Sequence, residues 1–252
     1  MVLAVVGIAL LGGLIGLDRT AAGQFMVSEP VVAGPLTGWM LGDPTAGIII
    51  GVVLELVWVL DIPIGAFVPA DATISAVSAT AIAALGSAGN ASLPVIGFSI
   101  FLTAAMVPAT MGADGIIRHW NSRLADAVVT GAGPDAGRAL ARAHLNGLPV
   151  FFMKSFVLYL VFLPLGLAAV SAFNQLPEHV HRAMSLFVKL LPLVGVALVV
   201  RKLSMKTIDF YLLSGFMIAA LAGQLFHAPA LIVILLSVTG GWLGARYRDR
   251  HS

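Results

Sequence analysis

The chain of 252 residues contains no cysteine. That absence excludes a disulfide framework and any thiolate metal centre. Charge is also scarce: 10% of the residues are Asp, Glu, Lys or Arg, against roughly 25% in an ordinary soluble domain. A water-facing surface of normal extent is therefore excluded. No phosphate-cradling glycine pattern of the P-loop or Rossmann kind stands between a strand and a helix. A GxGD protease motif is missing too, because Gly42-Asp43 follows Trp39-Met40-Leu41. The histidines at 119, 144, 179, 181, 227 and 251 fall in polar connections or at the ends of apolar segments. His179 and His181 lack a carboxylate-rich partner motif, so neither a metal centre nor a cofactor is expected.

What is present is apolar. With 59% hydrophobic residues and a mean hydropathy of +1.00, the chain reads as an all-α integral membrane protein, a polytopic helical bundle forming one transmembrane domain over 1–252. The candidate apolar segments are 2–17, 31–41, 46–60, 64–85, 93–111, 150–173, 184–200, 210–225 and 228–245. The first lacks a basic leader and a small-residue cleavage site, so a retained helix is expected. A span needs about 20 apolar residues. The second and third segments are shorter, and Gly42-Asp43-Pro44 separates them, as in re-entrant or broken helices lining a transport site.

The basic residues set an orientation. Arg118, Arg123, Arg138 and Arg142 fall in the polar stretch 114–146; Arg201, Lys202 and Lys206 form a second zone; Arg246, Arg248 and Arg250 end the chain. Two apolar segments separate each neighbouring pair of zones, so all three lie on one side, which the positive-inside rule makes the cytoplasm. The C-terminus is then cytoplasmic. Within 114–146, Ile116, Ile117, Trp120, Leu124 and Val128 recur at helical spacing. They predict an amphipathic helix on the membrane surface, broken by the sequence GAGPDAG.

The region 24–81 carries the candidate site. Gly34, Gly38 and Gly42 recur every four residues, as do Gly47 and Gly51 after the Asp43-Pro44 break. Small residues at this spacing let a second backbone approach closely. Glu55 continues the second series, inside the run IIIGVVLELVWVL. A charge at the centre of a spanning helix costs about 2.5–3.5 kcal/mol on the insertion scale, and the spacing turns this one towards protein rather than lipid. Asp61 and Asp71 flank IPIGAFVPA, where Pro63, Gly65 and Pro69 forbid a continuous helix. Asp71 opens the next apolar run either as a helix cap or as a ligand contact. Asp43 reads as a turn residue. Carboxylates accept paired hydroxyl hydrogen bonds, and Gln24, Thr73 and Ser75 can donate or accept, so a neutral sugar suits the cluster. Trp58, three residues beyond Glu55, is either a stacking surface for such a ring or an ordinary core or interface residue.

The stretch GPLTGWMLGDPTAGIIIGVVLELVWVLDIPIGAFVPADATISAV closely resembles the membrane IIC subunit of the mannose/fructose/sorbose class of bacterial sugar phosphotransferase systems. The shared marks are LGD, the Thr45-to-Gly51 spacing, Leu54-Glu55, IPIGA and Pro69-x-Asp71, and length and hydropathy extend the likeness over the whole chain. The resemblance implies a multi-pass protein of the bacterial inner membrane that translocates a hexose-type sugar with a IID membrane subunit, in a trimeric assembly within the lipid bilayer. Soluble IIA and IIB subunits would supply phosphate, and IIC would be a transport subunit that is not catalytic by itself. Glu55 and Asp71 match the family's acidic positions, and Gln24 and Thr73 lie in matching polar segments. One departure is Ser28-Glu29-Pro30, where many relatives carry a basic residue before the proline. It motivates a transport-inactive regulatory or structural descendant as an alternative; an ion-coupled secondary transporter, with a proton on Glu55, is another.

Overall fold

A computed structural model describes residues 1–58, 69–130, 136–203 and 215. Asp61, most of the Pro63-to-Pro69 break, the segment 210–225 apart from residue 215, the segment 228–245 and the basic tail lie outside the described residues. The chain divides into a unit of residues 1–196, which holds the candidate site, and a second of 197–252.

All regular structure among the described residues is helical: α1 (Val2–Thr20), α2 (Pro30–Met40), α3 (Pro44–Trp58), α4 (Ala72–Gly86), α5 (Leu93–Thr130), α6 (Ala136–Phe173) and α7 (Glu178–Leu203). Four of these, α1, α5, α6 and α7, are long and apolar enough to cross a membrane. The other three are short. At 1.5 Å per residue, α2 is about 17 Å long and α3 and α4 about 23 Å, less than the ~30 Å hydrocarbon core.

The break between α2 and α3 is a tight turn. Gly42 adopts φ +80°, a conformation that disfavours any side chain. Asp43 Oδ1 then accepts the Ala46 N–H at 3.0 Å, with Pro44 opening the helix, an N-cap followed by proline in the first helical position. Its second oxygen accepts the Ala91 N–H at 2.7 Å, so this buried carboxylate also ties the turn to the α4–α5 connection. The two glycine series face each other across the hairpin. A Cβ on Gly34 would stand 2.7 Å from the Gly47 carbonyl oxygen, and one on Gly51 2.6 Å from that of Pro30.

α4 is the central element. It packs against α1, α2, α3, α5 and α6, and every residue from Ala72 to Ala84 is buried. Its sequence ATISAVSATAIAALG makes this possible, since Ala, Ser and Thr let neighbouring backbones close in. Around it Ile8, Ile50, Ile96, Leu163 and Phe173 complete the core.

The polar stretch 114–146 departs from expectation. Residues 114–130 and 136–146 are helical, but as the continuation of α5 and α6 rather than as a separate helix lying on the membrane surface. Each of these helices has 38 residues, about 57 Å of helix, close to twice the hydrocarbon thickness. Hydropathy falls along each extension, whereas the backbone hydrogen bonding that defines the helix continues.

Candidate functional site

Polar side chains converge at one end of the bundle, where α1 ends, α2 and α4 begin and α3 ends. Their depth follows from helix geometry. Arg19 lies about 26 Å along α1 from Val2, Asp114 about 32 Å along α5 from Leu93, and Lys154 about 29 Å along α6 from Phe173. These lengths match one hydrocarbon thickness of ~30 Å, so the charges collect at a membrane boundary rather than at the midplane.

Asp71 is the hub. As the N-cap of α4 it accepts the Ile74 N–H at 3.1 Å, which establishes the capping role among the readings open for it. The same Oδ1 lies 3.6 Å from Arg19, and Oδ2 is 3.0 Å from Lys154 Nζ. Lys154 also meets Asp114 Oδ1 at 3.1 Å, and Asp114 Oδ2 accepts from Arg118 Nε at 2.7 Å. Arg19 donates in addition to the Ala70 carbonyl at 3.0 Å. Charges thus alternate from Arg19 through Asp71, Lys154 and Asp114 to Arg118, linking α1, α4, α5 and α6. The middle three side chains are 12%, 7% and 13% exposed, so each charge depends on its neighbours for compensation. The space left between them is a cavity of about 20 Å³, on the scale of a single water.

Glu55 occupies a second helix terminus. Its Oε2 accepts the Val31 N–H at 3.2 Å, one of the donors that the first turn of α2 cannot satisfy internally. Glu29, the N-cap residue of α2, provides no side-chain cap, so a carboxylate 24 residues further along the chain takes that role. The close-packed glycine face therefore has a use for Glu55, since Gly51 brings α3 against the start of α2. Glu29 itself is exposed, and its like charge acts on Glu55.

Thr73 connects the two termini. It is fully buried, and its hydroxyl donates to the Ser28 carbonyl at 2.7 Å, immediately before the segment that Glu55 caps. Gln24 is exposed on the α1–α2 connection with φ 57°, and Trp58 closes α3, half-buried against the core. Ser75 donates to its own helix, to the Asp71 carbonyl at 3.1 Å.

Sequence reasoning passed over Asp18, Arg19, Asp114, Arg118 and Lys154 as site residues. Buried Asp18 accepts the N–H of Phe25 at 2.7 Å through Oδ1 and that of Ser28 at 3.2 Å through Oδ2, folding the connection that carries Gln24. Lys154 had the clearest signal: FFMKSFVLYL isolates it among apolar residues much as the run around Glu55 does.

The arrangement fastens three short helices to three long ones through ion pairs and helix caps at a single level. Among the described residues, no group of three or more His, Asp or Glu is placed to hold a metal ion.

Comparison with known proteins places these features in context. A family model described as "PTS system sorbose-specific iic component" matches residues 2–239. The mannose-specific EIIC components of Escherichia coli strain K12 and of Shigella flexneri are each 28% identical over 213 residues, covering 84% of this chain and 77% of theirs. Among solved structures, one described only as a membrane protein superposes with a TM-score of 0.76 at 22% identity, over 99% of this chain and 96% of that one. A chain of the mannose transporter ManYZ in complex with microcin E492 superposes at 0.58 and 23% identity, with the same coverage.

Proposed function

The chain belongs to the sorbose-specific IIC component family of the sugar phosphotransferase system, and from that membership we propose that it translocates a hexose-type sugar across the bacterial inner membrane together with a IID subunit. Soluble IIA and IIB partners supply the phosphate, and the working unit is a trimeric assembly. The chain handles the sugar and makes no covalent intermediate with it. In this reading the long-helix extensions and the C-terminus lie in the cytoplasm, and the junction of α2, α3 and α4 is the inner end of the translocation path.

The observation that carries the proposal is the meeting of Glu55 with the start of α2. One carboxylate oxygen holds the Val31 N–H, leaving Oε1 to accept a sugar hydroxyl. Thr73 and Gln24 supplement it, and Trp58 offers an apolar face to the ring. Asp71 enters the substrate path through its ion pairs: with Lys154 and Arg19 on its oxygens, a sugar hydroxyl reaches it by sharing or displacing Lys154. Glu29 is exposed at the rim, and the Glu55–Val31 and Thr73–Ser28 contacts are both made beside it, which supports the transport reading over the inactive one.

The test is uptake of labelled mannose, fructose, sorbose and glucose by cells lacking their own permeases and supplied with this chain and its IIA, IIB and IID partners. Phosphate-dependent uptake of at least one sugar is expected, with at least a tenfold loss in Glu55→Gln at unchanged membrane abundance. Absence of uptake of every sugar by the natural chain refutes the proposal. Uptake that persists without the soluble phosphate carriers and collapses with the proton gradient identifies an ion-coupled transporter.

A further inference from the structure

Of the residues of α7 that the structure describes, only Val188 and Gly195 are buried. The side of α7 that turns to the bundle is marked by two close approaches: a Cβ on Gly97 of α5 would meet the Met184 carbonyl oxygen, and one on Gly195 would stand 2.6 Å from that of Leu56 on α3. The opposite side carries Leu186, Lys189, Leu193 and Val196, all exposed. Their alternating spacing of three and four residues is the one by which a helix packs along another helix.

Lys189 lies deep in the bilayer. Gly97 is about 6 Å along α5 from Leu93, while Asp114, at the boundary where the ion network sits, is about 32 Å along it. Met184, beside Gly97, is therefore close to the other boundary, and Lys189 is about 8 Å further along α7, roughly 12–14 Å into a hydrocarbon layer of ~30 Å. The Phe187 ring, two residues earlier, meets that of Phe101 edge-on at 6.2 Å, which agrees with this level, since Phe101 is about 12 Å from Leu93. A four-carbon stem carries the ammonium only part of the way back to water. Among the described residues no hydrogen bond or ion pair reaches Lys189, and the apolar segments 210–225 and 228–245 contain neither Asp nor Glu. Lipid is an adequate neighbour for the exposed leucines. It is a poor one for an uncompensated ammonium among them, because a charge at this depth is costly and is rarely left facing hydrocarbon.

We propose that this face of α7 is the interface with the second membrane subunit: Leu186, Leu193 and Val196 pack along a transmembrane helix of that subunit, and the Lys189 ammonium pairs with an Asp or Glu that the helix carries near the bilayer midplane. The inference rests on the reading that this chain works with a IID subunit, and it adds the surface and the chemistry of their contact. A single charged position within an apolar seam also fixes the register of two packed helices. A second copy of this chain fits the face less well. Its exposed acidic residues among those described, Glu29, Asp126 and Glu178, stand at the start of α2, in the extension of α5 and at the start of α7, all away from the midplane.

The test co-expresses the full chain with a tagged IID subunit and places a photoreactive amino acid at position 186 or 193. Illumination of the membranes is expected to join the chain to IID from both positions. After detergent extraction, Lys189→Arg should recover the tagged subunit at the natural level, Lys189→Met at least threefold less of it and Lys189→Glu at least tenfold less, each with unchanged membrane abundance of the chain. Changing the mid-span Asp or Glu of the joined IID helix to Lys should restore recovery with Lys189→Glu. Crosslinks that reach only a second copy of this chain, or no protein at all, overturn the interface. Full recovery of IID with both Lys189→Met and Lys189→Glu, or a joined helix that has no mid-span carboxylate, overturns the ion pair. In each of these cases, sugar uptake by the natural chain together with IID leaves the transport proposal standing. Failure of the natural chain to recover IID removes the premise and the inference with it.

Discussion

Replacing Lys154 by methionine keeps the length and apolar bulk of the side chain and deletes the single positive charge that serves both Asp71 and Asp114. The two contacts are 3.0 and 3.1 Å long, and the lysine side chain is 7% exposed, so water cannot substitute for it. Breaking a buried ion pair from one side costs roughly 3–5 kcal/mol, most of it the penalty of leaving the partner charge uncompensated. Asp71 keeps Arg19 at 3.6 Å, and Asp114 keeps Arg118, so the lower end of that range, about 3 kcal/mol, is expected. Arg118→Met is the internal control. Its side chain is 38% exposed, solvent screens the lost pair, and about 0–1 kcal/mol is expected. A further variant separates charge from packing: Asp71→Asn retains an oxygen for the Ile74 N–H and removes the charge that Lys154 neutralises. Combined with Lys154→Met it should recover about 1–3 kcal/mol relative to additivity, the coupling typical of residues in one network. The assay is equilibrium unfolding in mixed micelles, followed by tryptophan fluorescence, with the natural chain and every variant in the same detergent. If Lys154→Met and Arg118→Met destabilise by equal amounts, or the double variant is merely additive, the network does not support the bundle in the way argued.

Glu55 separates capping from substrate contact: Glu55→Gln retains an oxygen for the Val31 N–H and should unfold within about 0.5 kcal/mol of the natural chain, whereas Glu55→Ala loses the cap and should cost about 0.5–2 kcal/mol. Both are expected to lower uptake, and a fall confined to Glu55→Ala would make the residue purely structural. Gly51→Val places branched atoms where even a Cβ meets the Pro30 carbonyl oxygen at 2.6 Å; overpacking of this kind costs about 1–3 kcal/mol or more, and a thermal midpoint equal to that of the natural chain would refute the tight hairpin. Thr73→Val conserves shape but leaves the Ser28 carbonyl without the hydroxyl that reaches it at 2.7 Å, at a cost of about 1–3 kcal/mol, read by the same unfolding titration.

The parts of this structure that the sequence made legible are those fixed by local chemistry. Gly42-Asp43-Pro44 permits a positive φ, a cap and a helix start in three consecutive residues, so the α2–α3 hairpin could be placed without coordinates. The glycine spacing likewise announced a close backbone contact, which the helices make with each other. Glu55 stood out because a carboxylate within an apolar run is costly, but its partner did not, since a backbone N–H at the start of a helix has no signature of its own and Val31 lies 24 residues away. The same distance effect hid the ion network. Asp114 and Arg118 looked like ordinary water-facing charges because they follow the apolar part of α5, and Lys154 precedes most of the apolar part of α6. Only helix geometry shows that ~26–32 Å of α1, α5 and α6 bring Arg19, Asp114 and Lys154 to one level, where Asp71 at the head of a short central helix can join them. Asp71 and Glu55 therefore posed one question in the sequence and receive related answers in the structure: each carboxylate satisfies the N-terminus of a helix too short to reach across the bilayer. The first turn of any helix leaves N–H groups that need an acceptor, and here side-chain carboxylates supply it at 3.1–3.2 Å. Under the proposed transport function, the Glu55 and Asp71 carboxylates would serve a hydroxylated ligand as acceptors without any residue placed for binding alone.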